Sequence, residues 1–383
     1  MRDLEAELRE LADRGLLRQR RCLEGAQGAR VEVEGRRVLS FASNDYLGLA
    51  ADPRLIEALI DGARRYGVGA GASHLVAGHH RAHHALEERL AAFTGFPRAL
   101  LFGSGYAANL AIVSLLARDE AELFADRLNH ASLNEAMLLC RVRFHRYPHL
   151  DLKALSRLLD VSRAAERVVL TDSVFSMDGD LAPLDSLARL CERHGAWLVV
   201  DDAHGFGVLG PQGRGAAARF GLAGERLVYM GTLGKAAGVS GAFVAASAPV
   251  IDLLIQQARA YVYTTASPPA LAHALLKSIE LIETEQWRRE HLGQLIARLK
   301  DRLAGLSWPL LASPTAIQPL IAGESRAATT LAAQLSAQGI LVPAIRPPTV
   351  PAGSARLRIS LSAAHRPEDV DALAAALRGQ TGR

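Results

Sequence analysis

Four lysines stand in this chain, Lys153, Lys235, Lys277 and Lys300, and arginine carries the rest of the fixed positive charge. Three of the four fall in helix-like stretches among charged or polar neighbours. Lys235 is different: it sits in MGTLGKAAGVSG, after an apolar strand and between glycines, where the backbone is expected to turn tightly. A primary amine at such a place can form a Schiff base with a carbonyl and can move a proton, and arginine can do neither usefully. The run is not a phosphate loop of the GxxxxGK[ST] type, because the required glycine and hydroxyl positions hold Tyr229 and Ala236.

A carboxylate pair and an imidazole follow another apolar run, in AWLVVDDAHG, as Asp201, Asp202 and His204. In open α/β sheets ligands sit at the carboxyl ends of strands, so these groups are placed where a cofactor would lie. Pyridoxal phosphate (PLP) needs an anion beside its ring nitrogen, which keeps that nitrogen protonated and the ring electron-accepting. An ion pair near 4 Å at an effective dielectric of about 20 contributes roughly 4 kcal/mol. That is about three pK units, enough to decide the protonation state. Alternation along a strand turns Asp201 and Asp202 to opposite sides, so one of them alone can serve. A third feature, LLFGSGYAANLA, reads as strand, Gly103-Ser104-Gly105 loop and helix, a place where backbone N–H groups suit a phosphate. The tract GVGAGASH (67–74) lacks GxGxxG spacing and a preceding strand, which argues against a dinucleotide site. His79, His80, His83 and His84 hold i, i+4 pairs on an expected helix; without HExxH or an evident third ligand they read as a solvated face, and no metal is expected.

The elements that must position these groups alternate. Apolar, β-rich runs occur at 99–102, 123–125, 142–147, 168–171, 196–200, 227–230 and 242–246, with helical patterns such as 106–117 and 184–194 between them. This predicts an α/β domain with a mostly parallel central sheet, covered on both faces. It is preceded by an N-terminal helix and a short β segment around Val31–Val38. After Ser267 the rhythm changes: Pro268 and Pro269 open a long helical stretch that continues through 286–303. Strands then read at 317–321, 340–342 and 355–361, with helices at 327–338 and 367–377. The expected division is an N-terminal segment 1–38, a large domain 39–267 and a smaller α+β domain 268–383.

Composition narrows the function classes. A net charge of +4 over 383 residues, without a Lys/Arg block, argues against nucleic-acid binding. Cys22, Cys140 and Cys191 lie far apart without CxxC spacing, which predicts neither disulfides nor a zinc site and fits a reducing, cytoplasmic setting. The charged start MRDLEAELRELADRG has no apolar core of a secretory signal, and no apolar run approaches the ~18 residues of a membrane span.

In chain order the motifs SNDYLGL (43–49), GSGYAAN (103–109), DRLNHAS (126–132), SVFSMDGD (173–180), VDDAHGFGVLG (200–210) and GTLGKAAGVSGA (231–242) resemble the α-oxoamine synthases. These are fold-type I PLP-dependent transferases that condense an amino acid with an acyl thioester and release CO2. The resemblance runs over nearly the whole chain. It implies that Lys235 carries PLP and moves the Cα proton, that Asp201 holds the ring nitrogen, and that His204 bonds the ring oxygen. By the same resemblance His130 stacks on the ring and touches substrate. Gly105, Tyr106, Ser176 and Thr232 complete the cofactor site, with Tyr106 standing where relatives often have phenylalanine. Thr264 and Thr265 would reach the phosphate across a homodimer interface. Asn44 and Arg358 would grip the amino-acid carboxylate, and Arg18 and Thr349 would lie near the acyl substrate. The stretch AIRPPTVPAGSARLRISLSAAH (344–365) most resembles the branch that joins L-alanine to pimeloyl thioester, on CoA or an acyl-carrier protein, in biotin synthesis. The alternatives left open are the same reaction on glycine and a short acyl-CoA or on serine and a long one, a silent ligand-binding protein of this fold, and a dinucleotide-dependent oxidoreductase, which would bind NAD(P) and show no yellow colour.

Overall fold

The computed structural model describes residues 2–18, 20–118 and 120–380. The chain divides into two compact units, Leu49–Ser176 with Leu181–Arg289, and Met1–Gly48 with Met177–Asp180 and Glu290–Arg383.

The larger unit is built on a seven-stranded sheet. In spatial order its strands are Arg98–Phe102, Ala242–Ala246, Leu227–Thr232, Trp197–Asp201, Arg167–Asp172, Glu122–Asp126 and Arg143–Tyr147. Ala242–Ala246 pairs antiparallel with both neighbours, and the others run parallel. Every residue of the strands Glu122–Asp126 and Ala242–Ala246 is buried, which is why they read as continuous apolar runs rather than alternating ones. The edge strand Arg143–Tyr147 buries only Tyr147 and lines its open side with charge, as an edge must to resist further pairing. Helices Gly105–Leu116 and Ala131–Cys140 pack on the sheet through Ala108, Ile112, Leu133 and Met137, all fully buried.

Three expectations are corrected in detail. The β segment at 31–38 is a hairpin, Arg30–Val33 with Arg36–Ser40, turned by Glu34 and Gly35 at φ 51° and 72°. Positive φ at both central residues is the turn that suits the twist of paired strands. The long helical stretch after Pro269 is two helices, Pro269–Thr284 and Gln286–Leu303, broken at Glu285. Glu285 leaves the helix to accept from Arg54 at 2.6 Å and Arg288 at 2.7 Å. The histidines do not share one helix: it begins at Arg81, with His80 as its cap and His79 before it. The helix Pro269–Thr284 packs on Pro53–Tyr66 and Arg81–Thr94 inside the larger unit.

The smaller unit holds the hairpin, with Ile340–Leu341 added parallel to Arg36–Ser40. It also holds a sheet of Ile317–Gly323, Ala355–Ser360 and Ala344–Ile345, with helices Ser325–Ala337 and Pro367–Arg378. Among the described residues no helix is long and apolar enough to cross a membrane.

Candidate active site

Five parallel strands of the larger unit end around one cavity of about 200 Å³, lined by Gly105, Tyr106, Asn109, His130, Asp201, His204, Thr232 and Lys235 among others. Lys235 leaves the end of Leu227–Thr232 in a turn closed by the Gly238 N–H on the Lys235 carbonyl at 2.9 Å. Its Nζ is hydrogen-bonded to His204 Nε2 at 2.9 Å.

The two aspartates separate as strand alternation requires. Asp202, fully buried, takes the hydroxyl of Tyr229 at 2.6 Å, the Ala216 N–H at 2.7 Å and the hydroxyl of Ser173. Burial pushes its pKa up to about 6. Asp201 lines the cavity instead. Its Oδ1 accepts the Ala203 N–H at 2.9 Å and its Oδ2 accepts from Asn109 Nδ2 at 2.7 Å. Neither bond uses all of a carboxylate's lone pairs, so a cationic ring N–H has an acceptor here. Asp172 adjoins it at the end of the next strand. Burial and then the charge of Asp201 hold the Asp172 carboxyl well above the usual carboxylate range.

A chain of donors continues from Asp201. Asn109 Nδ2 also donates to Ser132 Oγ at 2.8 Å, and Ser132 Oγ meets His130 Nδ1 at 2.7 Å. The Ser132 N–H donates to the same nitrogen at 3.3 Å. Two donors converging on Nδ1 place the ring proton of neutral His130 on Nε2. Burial, ahead of the Lys235 charge, lowers the pKa of this imidazole, and the charge of Asp201 opposes the shift.

On the phosphate side, Ser104 caps the helix Gly105–Leu116, its hydroxyl accepting the Ala107 N–H at 3.2 Å. The first turn of that helix opens on the cavity at Gly105 and Tyr106. Amine, carboxylate and helix N-terminus on three walls are the donor set PLP requires, so the residues fit that cofactor.

Seven of the residues expected from the sequence therefore meet in one cavity: Gly105, Tyr106, His130, Asp201, His204, Thr232 and Lys235. Ser176 is half-buried and Thr264 and Thr265 are exposed, all outside the lining. The Tyr106 hydroxyl donates to Glu135. In the smaller unit, Arg358 is buried and donates to Asn44 Oδ1 at 3.1 Å and to Ser360 at 2.8 Å. Arg18 and Thr349 line one cleft of about 730 Å³ with Leu8, Leu11, Leu17 and Arg346. Asn109, Ser132 and Asp172 were not singled out by sequence reasoning. The one available signal was Asn109 in GSGYAAN, one helical turn after Gly105 and thus on the same face.

Comparison with known proteins agrees with this geometry. Residues 36–377 match the family described as Aminotransferase class I and II. The chain belongs to that family and is a PLP-dependent acyltransferase within it. It is 61% identical to 8-amino-7-oxononanoate synthase of Nitrosomonas europaea over 98% of both chains. Among solved structures, serine palmitoyltransferase of Sphingomonas wittichii superposes with a TM-score of 0.93 at 29% identity, over 98% of this chain and 96% of that one. The 8-amino-7-oxononanoate synthase of Francisella tularensis gives 0.78 at 31% identity, over 90% and 97%.

Proposed function

We propose that the chain condenses L-alanine with a pimeloyl thioester, giving 8-amino-7-oxononanoate, CO2 and free thiol, as a cytoplasmic homodimer in biotin synthesis. When bound, PLP accepts the electron pair released at the amino-acid Cα. Lys235 holds the cofactor, takes the Cα proton on Nζ and returns it. His204, 2.9 Å from that Nζ, orients the amine. Asp201, steadied by Asn109 and the Ala203 N–H, faces the ring nitrogen as its anion. His130 offers Nε2–H toward the thioester carbonyl, where negative charge develops during acyl transfer. Gly105 and Tyr106 frame the phosphate with Ser176 and Thr232, and Thr264 and Thr265 reach it from a second subunit. Arg358 and Asn44 receive the amino-acid carboxylate.

The observation that carries the choice of acyl donor is the cleft at Arg18 and Thr349. Leucines from the helix Leu4–Asp13 and from Leu16 and Leu17 meet the guanidinium-bearing residues Arg18 and Arg346 there. An apolar wall with cations suits a hydrocarbon chain that ends in a carboxylate, and a fully apolar acyl chain would leave those cations unanswered. Thiol release by the PLP-loaded protein tests the reading, with pimeloyl-CoA or pimeloyl-carrier protein and L-alanine, glycine or L-serine. Release that needs both the pimeloyl thioester and alanine supports it. Release with glycine and a short acyl-CoA alone moves the enzyme to another branch of the family.

A further inference from the structure

The start of the helix Arg81–Thr94 carries a cluster that the proposed reaction leaves unused. His79, His84 and Glu87 each bring one ligand atom to within 4.8 Å of the others, and His79 Nε2 lies 4.0 Å from Glu87 Oε2. His84 and Glu87 are three residues apart on that helix, so they share a face, and His79 enters from the turn before it.

The second nitrogen of His79 is also held. Nδ1 lies 2.9 Å from Nδ1 of His74, whose ring stacks on Tyr261 with centroids 5.0 Å apart and planes 10° from parallel. With His74 Nδ1 as the acceptor of this bond, His79 keeps its proton on Nδ1 and carries a lone pair on Nε2, the atom that faces Glu87. Metal-binding histidines are oriented in this way, by a fixed acceptor for the other ring N–H. The carboxylate is anchored as well: Glu87 Oε1 accepts the Leu101 N–H at 3.1 Å. His83, beside the cluster, is committed elsewhere. Its Nδ1 accepts the His80 N–H at 3.1 Å, and its Nε2 donates to the Ser267 carbonyl at 2.8 Å.

We propose that His79, His84 and Glu87 bind a divalent transition-metal ion of the zinc class, with His74 as the residue that orients His79. Two imidazoles and one carboxylate suit zinc, cobalt or nickel, with water completing the shell. Calcium and magnesium prefer all-oxygen sites and are not the ions this set selects. The ion would join the turn His74–Gly78, the helix Arg81–Thr94 and, through Glu87, the strand Arg98–Phe102.

Cobalt(II) titrated into the PLP-loaded protein, after EDTA treatment and gel filtration, is expected to give a single saturable equivalent with visible d–d absorbance. His84→Ala and Glu87→Gln should each weaken that affinity by about tenfold or more. Both should keep wild-type turnover in metal-free buffer, which also reports that they fold; the amide of Glu87→Gln retains an oxygen for the Leu101 N–H. These variants distinguish the site from cobalt held by the cofactor or the active-site histidines, which neither substitution touches. Absence of saturable cobalt binding, or wild-type cobalt affinity in either variant, overturns the proposal.

Discussion

At the scale of single residues, the proposed chemistry rests on a division between adjacent aspartates. Asp202 is closed in by two hydroxyls and an N–H, while Asp201 keeps its cavity side open and leans on Asn109. Asn109→Ala leaves a buried carboxylate oxygen short of a donor, a deficit of about 1–3 kcal/mol. It also frees Ser132 to turn away from His130 Nδ1. Turnover about tenfold lower or worse is expected from the folded variant, and wild-type kcat and KM would remove Asn109 from the network. Lys235→Ala should abolish turnover together with the visible absorbance of the lysine-held cofactor; near wild-type turnover would sink the assignment. The meeting of Lys235, Asp201, His204 and His130 in one cavity was legible because each stands in a short motif at a strand end. Asn109, Ser132 and Asp172 were not, because their roles depend on partners brought in from other segments. His74 was hidden for the same reason: the five-residue turn His74–Gly78 returns the backbone so that its ring meets His79.

At the scale of elements, the loop that presents Lys235 depends on one backbone geometry. Gly238 has φ +71°, and a Cβ there would sit 2.7 Å from backbone atoms of Leu49 and Ala50. Gly238→Ala therefore combines left-handed strain with an overlap that backbone cannot relieve cheaply, about 2–5 kcal/mol in all. Reduced PLP retention and a lower unfolding midpoint are expected. Gly234→Ala, whose Cβ would meet nothing closer than 3.8 Å, is the control and should stay within about 0.5 kcal/mol of wild type. Equal stability of the two variants would mean that the turn re-forms around alanine. The strands of the central sheet were legible because burial on both faces writes an unbroken apolar run. The helix break at Glu285 was not, since its cause is Arg54, 231 residues away in sequence. Nor was the hairpin turn, which puts the non-glycine Glu34 at positive φ.

At the scale of the whole molecule, two predictions concern groups far from the reacting atoms. Burial raises the Glu87 pKa to about 7. The folded protein therefore holds a proton there that the unfolded chain has released above about pH 4.5. Its contribution is fully present below that pH and is lost as pH rises through about 7, by at most about 3 kcal/mol. Glu87→Gln does not titrate, so in EDTA its stability relative to wild type should grow across that window; a constant difference in urea midpoints would refute this. The second concerns the proposed sharing of active sites between two subunits. Thr264 and Thr265 are exposed and lie outside the cavity, and Tyr263 beside them is 74% exposed. If these threonines serve the phosphate site of a second subunit, two defective variants can repair each other. A hybrid of Lys235→Ala with Thr264→Val/Thr265→Val has one site with the intact lysine of one chain and the intact threonines of the other. Random mixing makes half the dimers hybrid, with one good site in each, so activity at limiting PLP should recover to about a quarter of wild type. Subunits that each contained a complete site would give no recovery, because every site would keep one of the two lesions.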